Sequence, residues 1–180
     1  MENQRIRLSK SMLKQALICL LKTKAIEKIT VYELCQQAQI NRTTFYKYYG
    51  SPYGLLDDIE NDLFRELEKL LATGMQAELD CLVQVLRYLD AEQEKCCVLI
   101  NTVPDQEFSE KLFRLPAIHA LLQNHMPDHY TEKQQEYIKL FVCQGGYAII
   151  RQWLNKENRE TPEEIASLLN ALSTLILRPL

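Results

Sequence analysis

The chain has 180 residues, 47% of them apolar, and 21 Lys+Arg against 24 Asp+Glu give a formal charge of −3. That length holds one substantial core or a small domain fused to a larger one, and no run of 18 apolar residues is present to cross a bilayer. The charge is uneven: residues 1–51 carry nine Lys/Arg and three acids, net +6, while the rest carries twelve and twenty-one, net −9, a basic head that suits a polyanion.

Only five glycines and six prolines punctuate the chain, and no stretch alternates with period two for long. The pattern predicts an all-α protein of about nine helices. A first helix is expected over residues 9–23, burying Leu13, Ala16, Leu17, Leu20 and Leu21. The MENQRIRLSK ahead of it has no apolar segment behind its charges and does not read as a signal peptide. Its Arg5 and Arg7 either reach a minor groove or belong to a disordered arm. Ile26 and Ile29 are core plugs. Thr30 with Glu33 forms a capping box, and Val31, Leu34, Cys35 and Ala38 mark the buried face of a second helix. After a turn at Gln39 and Ile40, Asn41 caps a third helix whose first turn holds Arg42, Thr43 and Thr44, with Phe45 as apolar anchor. Ser51 as N-cap and Pro52 at N1 open a long fourth helix to about Ala72, with Gly74 as stop.

Helices are expected next over 76–88 and through Cys96 to about Asn101, then a break at Pro104. Residues 107–124 read as one helix kinked at Pro116, whose ring disturbs the preceding turn. A loop at Met126, Pro127 and Asp128 leads to a long helix over 131–154 with Thr131 as cap. The sequence Thr161-Pro162-Glu163-Glu164 combines cap, N1 proline and capping-box glutamate, opening a last helix to about Leu177.

The capped third helix carries the sharpest functional signal. Arginine makes bidentate contacts to guanine and a threonine methyl meets thymine. The hydroxyls of Tyr46, Tyr48 and Tyr49 and the Lys47 ammonium suit phosphate. Two packing alternatives stand beside this: Tyr46 as a half-buried ring on the first helix, and one of Tyr48 and Tyr49 as core.

The stretch TVYELCQQAQINRTTFYKYYGSPYGLL resembles the DNA-binding domain of the TetR (tetracycline repressor) family of bacterial transcription regulators. Thr30, Val31, Asn41, Thr44, Phe45, Tyr46, Tyr48 and Tyr49 carry the likeness, with Leu55 and Leu56 opening the next helix, over roughly the first 60 residues. Gln39 stands where the family's turn has glycine, and Pro52 where a lysine is frequent. The resemblance implies a helix-turn-helix DNA-binding domain over 1–51 and a helical regulatory and dimerisation domain over 52–180. DNA contacts are then expected from Thr30, Asn41, Arg42, Thr43, Thr44, Tyr46, Lys47, Tyr48 and Tyr49. The implied partners are a palindromic duplex, a second copy of the chain and a small-molecule effector. The function implied is that of a cytoplasmic regulator, a repressor released by the effector. A TetR-like adaptor or coactivator working through protein–protein binding is the alternative.

The last helix is richer in apolar residues than one buried face needs, which points to association. Ile149, Trp153, Ile165, Leu168, Leu169, Leu172, Leu175 and Ile176 are the expected dimer residues, although the last helix serving only its own core is the competing reading. An effector pocket is sought among Tyr88, Cys97, Phe108, Phe113, His119, Phe141, Tyr147 and Trp153, although aromatic side chains at helical spacing more often form core. The mid-helix pair Gly145-Gly146 suggests close backbone approach or open space. His119, His125 and His129 match no zinc spacing, and no metal or cofactor is expected. The six cysteines lack CxxC spacing and read as reduced small hydrophobes, with a Cys96–Cys97 redox sensor as the alternative. No Gly-rich phosphate loop, GxSxG or HExxH is present. Asp57-Asp58 and Glu163-Glu164 look like helix-dipole partners, and no enzyme is expected.

Overall fold

The computed structural model describes residues 4–73, 78–102, 105–124, 126–127 and 130–177. Gly74, Pro104, His125, Asp128 and His129 lie outside the described residues. Within them the chain is all-α: ten α-helices, one short 3-10 turn and no strand. It divides into two compact units, Met1–Leu63 and Phe64–Leu180, with the division falling inside the fourth helix.

The first unit contains α1 (Gln4–Leu21), the 3-10 turn Ile26–Lys28, α2 (Val31–Ala38), α3 (Arg42–Tyr48) and the first half of α4 (Pro52–Thr73). Leu13, Leu17, Leu34, Phe45 and Leu55 are fully enclosed, and Ile26 and Ile29 plug the core between α1 and α2. α1 starts five residues before the expected Ser9. The Ser9 hydroxyl donates to the Arg5 carbonyl one turn back, 3.0 Å away. Arg5 and Arg7 therefore stand on the first turns of α1 and not on an extended arm.

The turn between α2 and α3 closes without glycine. Gln39 takes the left-handed conformation, φ 53° and ψ 37°, and is the one non-glycine residue with positive φ among the described residues. The N–H groups of Gln39 and Ile40 then satisfy the last carbonyls of α2, those of Gln36 and Cys35.

The second unit holds the rest of α4 and α5 (Glu78–Ala91), α6 (Gln93–Thr102), α7 (Asp105–Phe113), α8 (Pro116–Asn124), α9 (Glu132–Leu154) and α10 (Pro162–Leu177). α10 packs chiefly on α5 and also on α9, while α6 and α7 both lie against α9. Thr131 and Thr161 cap as expected: each hydroxyl accepts the N–H three residues on, from Gln134 and Glu164. Residues 107–124 form two helices in place of the expected kinked one. α7 stops at Phe113, and Pro116 occupies the first position of α8, where its missing N–H costs no helical bond. The exposed helix start is satisfied from α4, because the Glu68 carboxylate accepts the Ala117 N–H at 3.1 and 3.3 Å. At Gly145 and Gly146 an added Cβ meets nothing within 4 Å, so of the two expectations the pair fits open space and not close approach within the protomer.

Candidate nucleic-acid interface

Thr30 and Glu33 form a complete capping box: the Thr30 hydroxyl accepts the Glu33 N–H at 3.2 Å, and the Glu33 carboxylate accepts the Thr30 N–H at 3.2 Å. Lys24 pairs with the same carboxylate. That lysine bond and the Thr30 N–H hold Glu33 below the ordinary carboxylate range. At α3 the Asn41 Oδ1 accepts the Thr43 N–H at 2.9 Å, which fixes where the helix begins.

Arg42, Thr43, Tyr46 and Lys47 are all exposed, and their spacing puts them on one face of α3, turned away from the enclosed Phe45. Thr44 is half-buried. Tyr46 is 58% exposed with its ring edge-on to Phe45, so the packing alternative for it falls away. Half-buried Tyr48 has two cations near its ring, the Lys10 and Lys47 ammonium groups 5.7 and 5.8 Å from its centroid.

Tyr49 departs from the expectation of a phosphate contact. It is buried, and its hydroxyl donates to Asp58 on α4 at 2.8 Å. Lys14 of α1 pairs with the same carboxylate at 2.8 Å and with Asp62 as well. Burial pushes the Asp58 carboxyl up, but the bonds from Lys14 and Tyr49 and the charges of Lys14 and Lys10 outweigh it and leave the group below its ordinary value. Asp58 thus ties α1, α3 and α4 together instead of serving the α4 dipole. Sequence reasoning also passed over Tyr32 and Gln36, two exposed residues of α2 that lie beside Arg42 on the rim of an open depression of about 530 Å³. Their position off the buried stripe of α2 was the available signal.

In the second unit, the aromatic residues expected around an effector only partly converge. Phe108 and Tyr147 sit 6.2 Å apart and Phe113 and Tyr147 6.5 Å apart. Phe64, which the sequence reading did not include, joins Phe108 at 5.2 Å. Tyr88 instead lies under Lys95, Cys97 donates to the Leu154 carbonyl at 3.1 Å, His119 is exposed, and Phe141 is 64% exposed. Trp153, expected at both sites, offers no exposed surface to a partner. It is enclosed in its own unit, its indole N–H donating to the Glu160 carbonyl at 2.7 Å.

The expected dimer residues divide by helical face. Ile165 and Leu169 are buried within the unit, on the side of α10 that packs on its neighbours, and so are unavailable to a partner. Leu168, Leu172 and Leu175 are exposed, and Ile149 and Ile176 are half-buried. On α9, Tyr137, Leu140 and Phe141 add to the exposed apolar surface.

A family profile described as a TetR-type transcriptional regulator C-terminal region matches residues 78–175, more than half of the chain. The chain belongs to the TetR family. It is 23% identical over 166 residues to the uncharacterized HTH-type transcriptional regulator YxbF of Bacillus subtilis (strain 168), an overlap of 88% of this chain and 43% of that protein. The TetR-family chain thus spans less than half the length of that relative. A TetR regulator from Streptococcus agalactiae 2603V has a similar fold, with TM-score 0.73, 23% identity and coverage of 94% and 96% of the two chains. The dihydroxyacetone kinase operon activator DhaS is similar at TM-score 0.64 and 21% identity, again over 94% and 96%.

All six cysteines are thiols outside any disulfide. Burial pushes the Cys96 thiol up to about 12 and raises Cys97 too, the reverse of what a redox-sensing thiolate needs. Glu163 is held below its usual range by its own N–H and by Arg87, which it meets at 2.6 Å. Among the described residues no group of three or more His, Cys, Asp or Glu is placed to hold a metal, and no helix is long and apolar enough to cross a membrane.

Proposed function

We propose that this TetR-family regulator is a cytoplasmic, sequence-specific DNA-binding homodimer without catalytic activity, with residues 1–51 as the DNA-binding domain and 52–180 as the regulatory and dimerisation domain. One observation carries the reading: Arg42, Thr43, Tyr46 and Lys47 share an exposed face of a helix capped by Asn41, in the net-positive part of the chain. Thr30, Asn41 and Thr44 position this face, Arg42 and Thr43 read base edges, and Tyr46, Lys47 and Tyr48 meet phosphate.

Association of two copies runs through Leu168, Leu172 and Leu175 of α10 and Leu140 and Phe141 of α9, which are exposed in a single copy. The open space at Gly145 and Gly146 admits the partner's helix. A twofold axis then sets two α3 helices about one DNA turn apart, roughly 34–36 Å, for a palindromic site. An effector in the second domain, near the Phe64, Phe108, Phe113 and Tyr147 cluster, acts by differential affinity for two dimer geometries. α4, shared by both units, carries the shift, and repression follows from where the operator lies.

Mobility shifts on duplex DNA from the region flanking the gene, across a salt series, test this. Affinity falls steeply with salt. Lys47→Ala weakens all sequences alike and lowers the logarithmic salt slope by about 1 per protomer, and Arg42→Ala relaxes preference at one base position by about 1–3 kcal/mol. Specific binding unchanged in both variants overturns the assignment of the face.

A further inference from the structure

The Arg42 guanidinium lies over the ring of Tyr32, its central carbon 4.7 Å from the ring centroid. Tyr32 belongs to α2, and Gln36 one turn further on donates its amide to the Tyr32 hydroxyl at 2.7 Å. Tyr32 is 50% exposed and Arg42 is exposed, so burial holds neither side chain in place. What holds the ring is Gln36, and what holds the guanidinium is the ring. These residues line the same open depression between α2 and α3, together with Cys35, Gln39, Ile40 and Asn41.

The geometry points to Tyr32 as a specificity-determining positioning residue: it orients Arg42 for base reading across the α2–α3 turn. The inference rests on the proposed DNA-binding function. A guanidinium uses its flat face for the tyrosine and keeps its edge, the fork of N–H donors that matches guanine O6 and N7, for the groove. Arginine otherwise samples many rotamers, and each must be given up on binding. Holding the fork before contact reduces that loss only for the sequence the fork recognises, so the effect lies in base preference and not in general affinity. The Gln39 turn matters to the same pair, because its left-handed conformation sets α3 against α2 and with it the distance from Arg42 to Tyr32.

The test uses the full chain and the duplex it selects from a random pool, compared with single-base variants at each position. Tyr32→Ala is expected to lower discrimination about 2- to 5-fold, the range for an exposed cation–π contact, and only at the base position that Arg42→Ala relaxes. Tyr32→Phe keeps a ring under the guanidinium but loses the bond from Gln36, so its discrimination falls between that of the parent and that of Tyr32→Ala. The double variant Tyr32→Ala/Arg42→Ala matches Arg42→Ala alone. A uniform loss across sequences, additive effects in the double variant, or unchanged preference in Tyr32→Ala beside a relaxed Arg42→Ala would each overturn the role of Tyr32 while leaving DNA binding intact. A parent chain that selects no duplex overturns the DNA-binding reading and the Tyr32 role with it. Thermal unfolding of Tyr32→Ala, expected within about a degree of the parent for so exposed a ring, separates positioning from folding.

Discussion

Replacing Tyr49 with phenylalanine separates an anchor of the head from a phosphate contact. The ring stays enclosed, and only the bond from its hydroxyl to Asp58, 2.8 Å long, is lost. A hydrogen bond onto a charged acceptor nets about 1.5–3 kcal/mol. The Asp58 side chain is 31% exposed and keeps its 2.8 Å pair with Lys14, so solvent screening places the loss below that range, at about 1 kcal/mol. For a chain of this length that lowers the melting temperature by roughly 2–4 °C, compared at equal protein concentration. The deficit also depends on pH. The folded carboxyl of Asp58 lies below its ordinary value, so its contribution is complete above the unfolded pKa of about 3.9 and is lost as pH falls through the depressed folded value. Thermal scans at pH 7 should show the full gap between parent and Tyr49→Phe, and scans below about pH 4 a shrinking one. The salt slope of DNA binding should not change. Equal stability at pH 7 together with a shallower slope would refute the assignment of Tyr49 to the core.

Gln39→Gly removes the left-handed strain, about 1–2 kcal/mol, against a glycine entropy cost of about 0.5–1 kcal/mol. Denaturant titration should therefore show a net gain of about 0.5–1 kcal/mol. Leu172→Glu places a charge on the exposed α10 face beside Leu168 and Leu175, and sedimentation should find monomers where the parent is dimeric. Glu68→Ala frees the Ala117 N–H at the start of α8 and should cost about 1 kcal/mol, read as faster amide exchange in that first turn.

What was legible in the sequence were features written in a few neighbouring residues. The boxes at Thr30 and Thr161 need only a hydroxyl and a carboxylate three positions apart, and both form; the cap expected at Thr131 forms too, and Gln134 completes a box there. The turn at Gln39 hid its conformation because glycine, the usual marker of positive φ, is absent. Tyr48 and Tyr49 were indistinguishable by periodicity: α3 ends at Tyr48, and Tyr49, in extended backbone with φ −135°, leaves the helical register and turns inward. Pro116 reads alike as a kink or a helix start, and the deciding group, Glu68, is distant in sequence. On α10 the two leucine stripes have the same spacing, and only packing on α5 decides that Ile165 and Leu169 face inward while Leu168, Leu172 and Leu175 do not. The pocket residues scattered for the same reason, since aromatic spacing along a helix does not fix which neighbour each ring meets.

If two copies of the chain read duplex DNA through α3, the DNA they select carries the imprint of both. Selection of bound duplexes from a random pool, followed by sedimentation of the complex, reads both the site and the number of protomers on it. The expected product is an inverted repeat with half-site centres about 10 base pairs apart, or a multiple of that, occupied by two protomers. Enrichment of no motif, or of a lone half-site carrying one protomer, would contradict reading by two copies through α3.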